Sequence, residues 1–370
     1  MKWGDLISLE YGKPVQDKAS TDGSIPVYGT NGKIGTSNLP PLCKIPSFIL
    51  GRKGAYRGVH YSDSPFSVID TAFYALPKRD NINMKWAYYK FMTYDINNMD
   101  SGSAIPSTNR YEIYNIDVLV PTMEYQNKIV SFMEILDYKI ECNIKLNKNL
   151  EKQARAIFNA WFIDFEPFGR VMPKSFTLTK LEKIAIIQTS NMSPSKNKNV
   201  IVEHYSIPAY DESRFPVFEA SSNIKSNKYV LSNKSVMISK LNPETKRIWR
   251  PMCLSEHPIC STEFIVYEAI HGGDRDFLYS LIDSEPFFNY LCSHTTGSTN
   301  SRQRTSPRIT LDFEFYLPPN DWIQKFCSMT TPLYDTISSN LIEIQALTSL
   351  RDTLLPRLIS GELDVSNIEL

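Results

Sequence analysis

The chain says much the same thing twice. A run from Ser101-Gly102-Ser103 through Asp117 to Pro121, followed by a long helical pattern, returns as Thr296-Gly297-Ser298 through Asp312 to Pro318, followed by another. In the helical part a single shift, from position 121 to position 318, carries Pro121 onto Pro318, Ile140 onto Ile337, Asn143 onto Asn340, Leu150 onto Leu347 and Trp161 onto Leu358. Upstream the match is looser. Ile25-Pro26-Val27-Tyr28 aligns with Phe215-Pro216-Val217-Phe218, and Asp70 to Ala75 with Ser261 to Val266, so loops have changed length between the copies. An internal repeat decides architecture before any local motif does.

The 370 residues, 42% of them hydrophobic, are enough for two to three domains with a core in each. No stretch approaches the roughly 18 to 20 apolar residues of a membrane helix, and Met1 leads straight into patterned sequence, so a cytoplasmic protein is expected. Cys43, Cys142, Cys253, Cys260, Cys292 and Cys327 lie far apart and read as small hydrophobes, not as a disulfide framework or zinc site. Forty basic and forty acidic residues cancel. That balance argues mildly against a protein living by non-specific attraction to phosphate.

Residues 1–121 are rich in Gly, Pro, Asn and Tyr between short apolar runs, which indicates short strands joined by turns, with a helix around Trp86 to Met92. Residues 169–319 read the same way, with a helix around Asp276 to Ile282. Between them, in 122–168, Ile129, Leu136, Ile140, Ile144, Leu150, Trp161 and Phe162 keep three-and-four spacing without Pro or Gly over about 40 residues. At 1.5 Å per residue that is one helix of about 60 Å, or two joined by a small break. The second copy, in 320–370, runs through Ile337, Leu341, Ile344, Leu354 and Leu358, with Pro332 expected to break its first turns. Each stripe needs cover, either from the other copy packed antiparallel or from its own globular domain. The expected fold class is α+β: two similar strand-rich domains separated by two long antiparallel helices, a pseudo-twofold internal repeat.

No catalytic constellation has convincing spacing. Glycine-rich phosphate loops, the tetrapeptides of amino-methyltransferases and a nucleophile elbow are absent; Glu244-Thr245-Lys246 is a nuclease element in form only, and the five histidines sit in dissimilar contexts. The chain reads as non-enzymatic, with no metal or cofactor of its own. What it carries is basic, polar and aromatic loops suited to phosphates and base edges. In the first half these offer Thr30, Asn31, Lys33, Arg52, Lys53, Tyr56, Arg57, Asn109 and Arg110. In the second they offer Ser222, Asn223, Lys225, Lys240, Lys246, Arg247, Arg250, Arg302 and Arg304. Each could equally be an ordinary solvated loop residue, and a scaffold binding only proteins stays open at this point.

Two strings resemble a known family. Trp161-Phe162-Ile163-Asp164-Phe165-Glu166-Pro167-Phe168 is similar to the central conserved region of type I restriction-modification specificity subunits, and Leu354-Leu355-Pro356-Arg357-Leu358-Ile359-Ser360-Gly361-Glu362 to their C-terminal conserved region. The resemblance implies a target recognition domain at 1–121, a central conserved helical region at 122–168, a second recognition domain at 169–319 and a C-terminal helical region at 320–370. Each recognition domain would read one half of a split sequence in double-stranded DNA. The helices would set the gap and dock two methyltransferase subunits, to which restriction/translocase subunits add. S-adenosylmethionine, ATP and Mg would belong to those partners. The second half lacks the aromatic ending of the first and replaces its glycine-rich loop with Lys240 to Arg250, which leaves its reading surface less defined.

Overall fold

The first strand is set by alternation. In β1 (Ile7–Tyr11) Ile7 and Leu9 are buried while Ser8 and Glu10 are half-exposed, the period-two signature of a sheet with one covered face. The computed structural model describes residues 1–18, 20, 22–99, 106–196, 200–271, 274–297 and 303–364. The Ser101-Gly102-Ser103 run, Ser298 and Arg302 therefore lie outside the described residues. The chain divides into two units: Met1–Lys139 together with the segment from Leu347 onward, and Ile140–Ala346.

In the first unit a short α1 (Trp3–Leu6) leads into β1, β2 (Ile25–Gly29), β3 (Gly32–Ser37), β4 (Ser47–Gly51), β5 (Val59–Ser62), β6 (Ser67–Val68), β7 (Ala72–Pro77), α2 (Met84–Met92), α3 (Arg110–Asn115) and the opening half of α4 (Met123–Phe162). The strands make an antiparallel sheet in the order β1-β7-β4-β5 and a smaller one, β3-β2-β6, whose β2 and β6 run parallel. The central β4 is buried at every position, as a strand covered on both faces must be. Asn83 starts α2 by accepting from the backbone N–H of Lys85 and Trp86. From that helix Trp86 and Phe91 meet Trp3, and Phe91 meets Phe48 on the sheet.

The second unit runs β8 (Thr177–Lys180), β9 (Ala185–Ile187), β10 (Asn191–Met192), β11 (Ile201–Tyr205), α5 (Ile207–Ser213), β12 (Val217–Ala220), β13 (Lys228–Val230), β14 (Ser235–Ser239), β15 (Ile248–Trp249), β16 (Pro258–Ser261), β17 (Phe264–Ala269), α6 (Arg275–Asp283), α7 (Glu285–Ser293), β18 (Thr295–Thr296), β19 (Arg304–Thr305), α8 (Pro307–Thr310), β20 (Glu314–Leu317) and most of α9 (Asn320–Ser360). Its sheet β9-β17-β14-β15 repeats the order of β1-β7-β4-β5, and β11 pairs in parallel with β16 as β2 does with β6. That pairing sets Val27 beside Ser67 and Glu203 beside Pro258, so β2 corresponds to β11 and β3 to β12. The sequence match of Ile25-Pro26-Val27-Tyr28 with Phe215-Pro216-Val217-Phe218 is therefore one strand out of step. The reason is α5, which stands where the first half has only the turn at Thr30 and Asn31.

Both long patterns are single helices. α4 runs unbroken for 40 residues and α9 for 41. Contrary to expectation, α9 continues through Pro332. Proline removes one backbone donor and crowds the preceding turn at a cost of about 3 kcal/mol. Here it faces solvent, with buried Phe326, Thr330 and Tyr334 anchoring the turns on either side. The stripes are covered in both of the ways the sequence left open. In the first unit Ile129, Val130 and Met133 of α4 share a core with Leu355 and Leu358 of α9 and with Trp3, Trp86 and Phe91 of the globular part. In the second, Phe158 and Phe162 share one with Ile323 and Phe326 of α9 and with Phe277 and Leu281. The helices thus pair antiparallel within each unit.

Of the stripe positions, Ile129, Leu136, Leu150, Phe162 and Leu358 are buried, Ile140, Trp161, Ile337, Leu341, Ile344 and Leu354 are half-buried, and Ile144 is 40% exposed. Polar residues occupy the seam near Ile144. Asn143 and Asn147 are 3% and 7% exposed; Asn143 Nδ2 donates to Glu343 Oε2 at 2.7 Å, and Asn340 Nδ2 donates to Asn147 Oδ1 at 2.7 Å. A slip of one heptad would set Asn147 against Leu333 or Leu347, leaving its amide without a partner. Asn147→Leu should lower stability by about 1–3 kcal/mol because it strands the Asn340 amide, and adding Asn340→Leu should restore most of the loss. Thermal unfolding of the two singles and the double checks this; losses that simply add would show that the amides do not depend on each other.

Candidate nucleic-acid interface

A pair of strand ends builds the site in each half, and main-chain hydrogen bonds give the correspondence between halves. Where β4 ends, Arg52 N donates to Thr71 O at 2.9 Å, Thr108 N donates back to Arg52 O at 2.8 Å, and Gly54 N donates to Pro106 O at 3.0 Å. Where β14 ends, Lys240 N donates to Glu263 O at 3.0 Å, Thr305 N to Lys240 O at 3.2 Å, and Asn242 N to Gln303 O at 2.9 Å. Gly54 and Asn242 both have positive φ, 128° and 48°, which is why a Gly and an Asn stand there. Arg52 therefore corresponds to Lys240, Lys53 to Leu241 and Ser107 to Arg304, as the isolated bridges Lys53–Ser107 and Leu241–Arg304 also require.

In the first unit several of the polar residues singled out in the sequence hold the loop together. Thr30 Oγ1 donates to Lys53 O and Thr71 O, each at 2.9 Å, and the Asn31 amide, oriented to donate, reaches Tyr56 O at 2.8 Å. Asn109 caps α3 by accepting from Tyr111 N. Arg57 is 2% exposed: its Nη2 donates to Asn97 O at 2.6 Å, while Nε and Nη1 have no partner. Lys33, Lys53 and Tyr56 are exposed, Tyr56 by 65%.

Arg52 and Arg110 converge on one ring. The Arg52 guanidinium lies 5.0 Å from the centroid of Tyr11 and 5.9 Å from that of Phe73, and that of Arg110 lies 4.9 Å from Tyr11 and 5.2 Å from Tyr111. Arg52 Nε and Nη2 both donate to Asp70 O. Arg110 Nη1 reaches Leu9 O and Nη2 the Tyr111 hydroxyl, while Nε has no partner. The Tyr111 hydrogen bond, and then the nearby phenols of Tyr11 and Tyr114, hold Arg110 above its ordinary pKa. Among the described residues Arg52, Lys53 and Arg110 make no ion pair.

The second unit differs in kind. Lys246 pairs with Asp283 at 2.7 Å, Arg247 with Asp211 at 2.6 Å, Arg250 with Asp276 at 2.6 Å and Asp335 at 2.9 Å, and Arg304 with Glu263 at 3.0 Å. Burial alone would push the Arg250 guanidinium down, but the two aspartates outweigh it and hold it above its usual value. These four cations are engaged in the fold. Lys240 is half-buried, and Ser222, Asn223 and Lys225 are exposed in the turn after β12, which topology places after the counterpart of β3 and not at the counterpart of the Thr30 turn.

Sequence reasoning missed Tyr11 and Tyr111. Tyr11 ends the alternating run of Ile7 and Leu9, a signal for a strand and nothing more; Arg52 and Arg110 lie too far along the chain for spacing to connect them. Among the described residues no group of His, Cys, Asp and Glu could hold a metal ion, and no helix is long and apolar enough to cross a membrane.

Residues 1–152 match the family model described as the type I restriction modification DNA specificity domain. The chain is 25% identical over 322 residues to the specificity subunit of the type I restriction enzyme MjaIX of Methanocaldococcus jannaschii, an alignment covering 79% of this chain and 72% of that one. It is 22% identical over 321 residues to the specificity subunit of the HindI enzyme of Haemophilus influenzae, covering 68% and 70%. The crystal structure of a type I S subunit from M. genitalium superposes with a TM-score of 0.61 at 15% identity, covering 97% of this chain and 95% of that one, and so shares the fold. Its first 152 residues thus match a DNA specificity domain, and over most of its length the chain is similar to type I restriction-modification specificity subunits and shares the fold of a solved one.

Proposed function

We propose that this chain gives a type I restriction-modification complex its DNA sequence. Each strand-rich domain, 1–121 and 169–319, reads one half of a bipartite target, and the helical regions 122–168 and 320–370 set the gap and dock two methyltransferase subunits. The observation that carries this reading is the repeated strand end: the same main-chain scaffold, built twice, presents different side chains in each half. That is what a reader of two unlike half-sites requires. Specificity subunits are themselves non-catalytic. S-adenosylmethionine, ATP and Mg would be held by the methyltransferase and restriction/translocase partners, and the missing catalytic constellations of the sequence fit that division of labour.

Mapping N6-methyladenine across the host genome with and without this gene tests the role. A split motif should vanish on deletion; an unchanged methylome would refute it for an expressed complex. The gap-setting role has its own test. Inserting one heptad into α4 and one into α9, which keeps the apolar stripes in phase, adds about 10 Å of helix. At about 3.4 Å per base pair the preferred gap should lengthen by about three base pairs with both half-sites unchanged. The same gap after a folded double insertion would show that something other than the helices sets it.

A further inference from the structure

Arg247 and Arg250 are held in the fold by carboxylates, and Arg57, which has no carboxylate, is buried against a backbone carbonyl. Arg52 and Arg110 have neither a carboxylate nor full burial. They reach Tyr11 from different elements, Arg52 from the end of β4 and Arg110 from the start of α3. Two positive charges on one ring, stacked on aromatic faces and uncompensated, leave a local positive potential that a polyanion neutralises.

The donors narrow the ligand further. Bidentate reading of guanine uses an open guanidinium fork. Arg52 has Nε and Nη2 converging on Asp70 O, and Arg110 has Nη1 and Nη2 turned toward Leu9 O and the Tyr111 hydroxyl. Arg52 keeps only its Nη1/Nη2 end free, and both Nη atoms of Arg110 are already engaged. What remains is full charge on two guanidinium groups sharing one ring, and the acceptor that suits such a pair is the anionic oxygen of a phosphodiester. We infer that Arg52 and Arg110, held against Tyr11, form a clamp on the DNA phosphodiester backbone that sets the position of the first domain on the duplex and reads no base. Tyr11 is the positioning residue. Strand register places Thr189 at the position of Tyr11, while Lys240 and Pro307 take those of Arg52 and Arg110, so the second domain has no copy of the clamp.

This inference rests on the DNA-reading role proposed above, and the test separates the two. The full chain, assembled with its methyltransferase subunits, is titrated onto a duplex carrying the mapped motif at several salt concentrations. Each phosphate contact contributes about 0.9 to the slope of log K against log salt. Tyr11→Leu should reduce that slope by about 1 to 2 and weaken binding about threefold to tenfold at physiological salt, equally for matched and mismatched duplexes. Tyr11→Phe, which keeps the ring, should retain the wild-type slope, and Arg110→Gln, which removes a charge without altering the strand, should reproduce part of the loss if Tyr11→Leu does not fold. A wild-type slope in folded Tyr11→Leu and Arg110→Gln complexes overturns the clamp. So does a loss confined to one base pair with the slope intact, which would make these arginines base readers. A wild-type complex without preference for the motif would sink the sequence-reading role instead, and the clamp would still register in the salt slope on any duplex.

Discussion

A helix of forty residues with one apolar stripe has no stable existence in water until the stripe is covered, and the organisation of both units follows from how that is done. The cover comes from two sources at once. Leu355 and Leu358 of α9 meet Ile129 and Met133 of α4 inside the same cluster that holds Trp3, Trp86 and Phe91. Phe158 and Phe162 meet Phe326 and Ile323 among the side chains of α6. Each globular part is therefore completed by two helices and could not keep its core without them. Burying large aromatic side chains in such shared clusters contributes about 1.5–3 kcal/mol each relative to exposure, which ties the start of the chain to the segment beyond Leu347.

The seam is not apolar throughout, and this has a physical use. Hydrophobic contact is tolerant of sliding, because leucine meets leucine in many registers. An amide pair such as Asn147 with Asn340 is not. Buried amides that are satisfied in one register and stranded in the next give up some stability and obtain a single alignment of the two helices in return.

Periodicity made the helical regions legible with their overall spans, because three-and-four spacing sustained over forty residues reads as helix, though it left open whether each was one helix or two joined by a break. The strand-rich halves were legible as a class from their turn residues. Three things were not. Pro332 looked like a break, since proline's local penalty is visible in sequence and the compensating burial of Phe326, Thr330 and Tyr334 is not. The alignment of the second strand pair slipped because α5 fills the place of a two-residue turn, and matching Pro-hydrophobic strings cannot tell a strand from its neighbour. The candidate interface was half legible. Residue type singled out Arg52, Lys53 and Arg110, which make no ion pair among the described residues, together with Arg57, which is buried, and Arg247, Arg250 and Arg304, which are ion-paired within the fold.

That last distinction explains how a chain with no net charge can resemble DNA specificity subunits. Forty cations against forty anions says only that the charges cancel in sum. The field at a surface depends on which cations have partners close enough to neutralise them locally, since screening removes the influence of charges beyond about 8 to 10 Å at ordinary ionic strength. In the second unit the carboxylates of Asp211, Asp276, Asp283, Asp335 and Glu263 sit within 3 Å of their cations, so those loops present little positive potential despite their composition. In the first, Arg52 and Arg110 are held by a carbonyl and by rings, partners that orient a charge without cancelling it. Two halves built on one scaffold thus present different fields, the first an uncompensated pair of cations on one ring and the second side chains whose charges are cancelled where they stand.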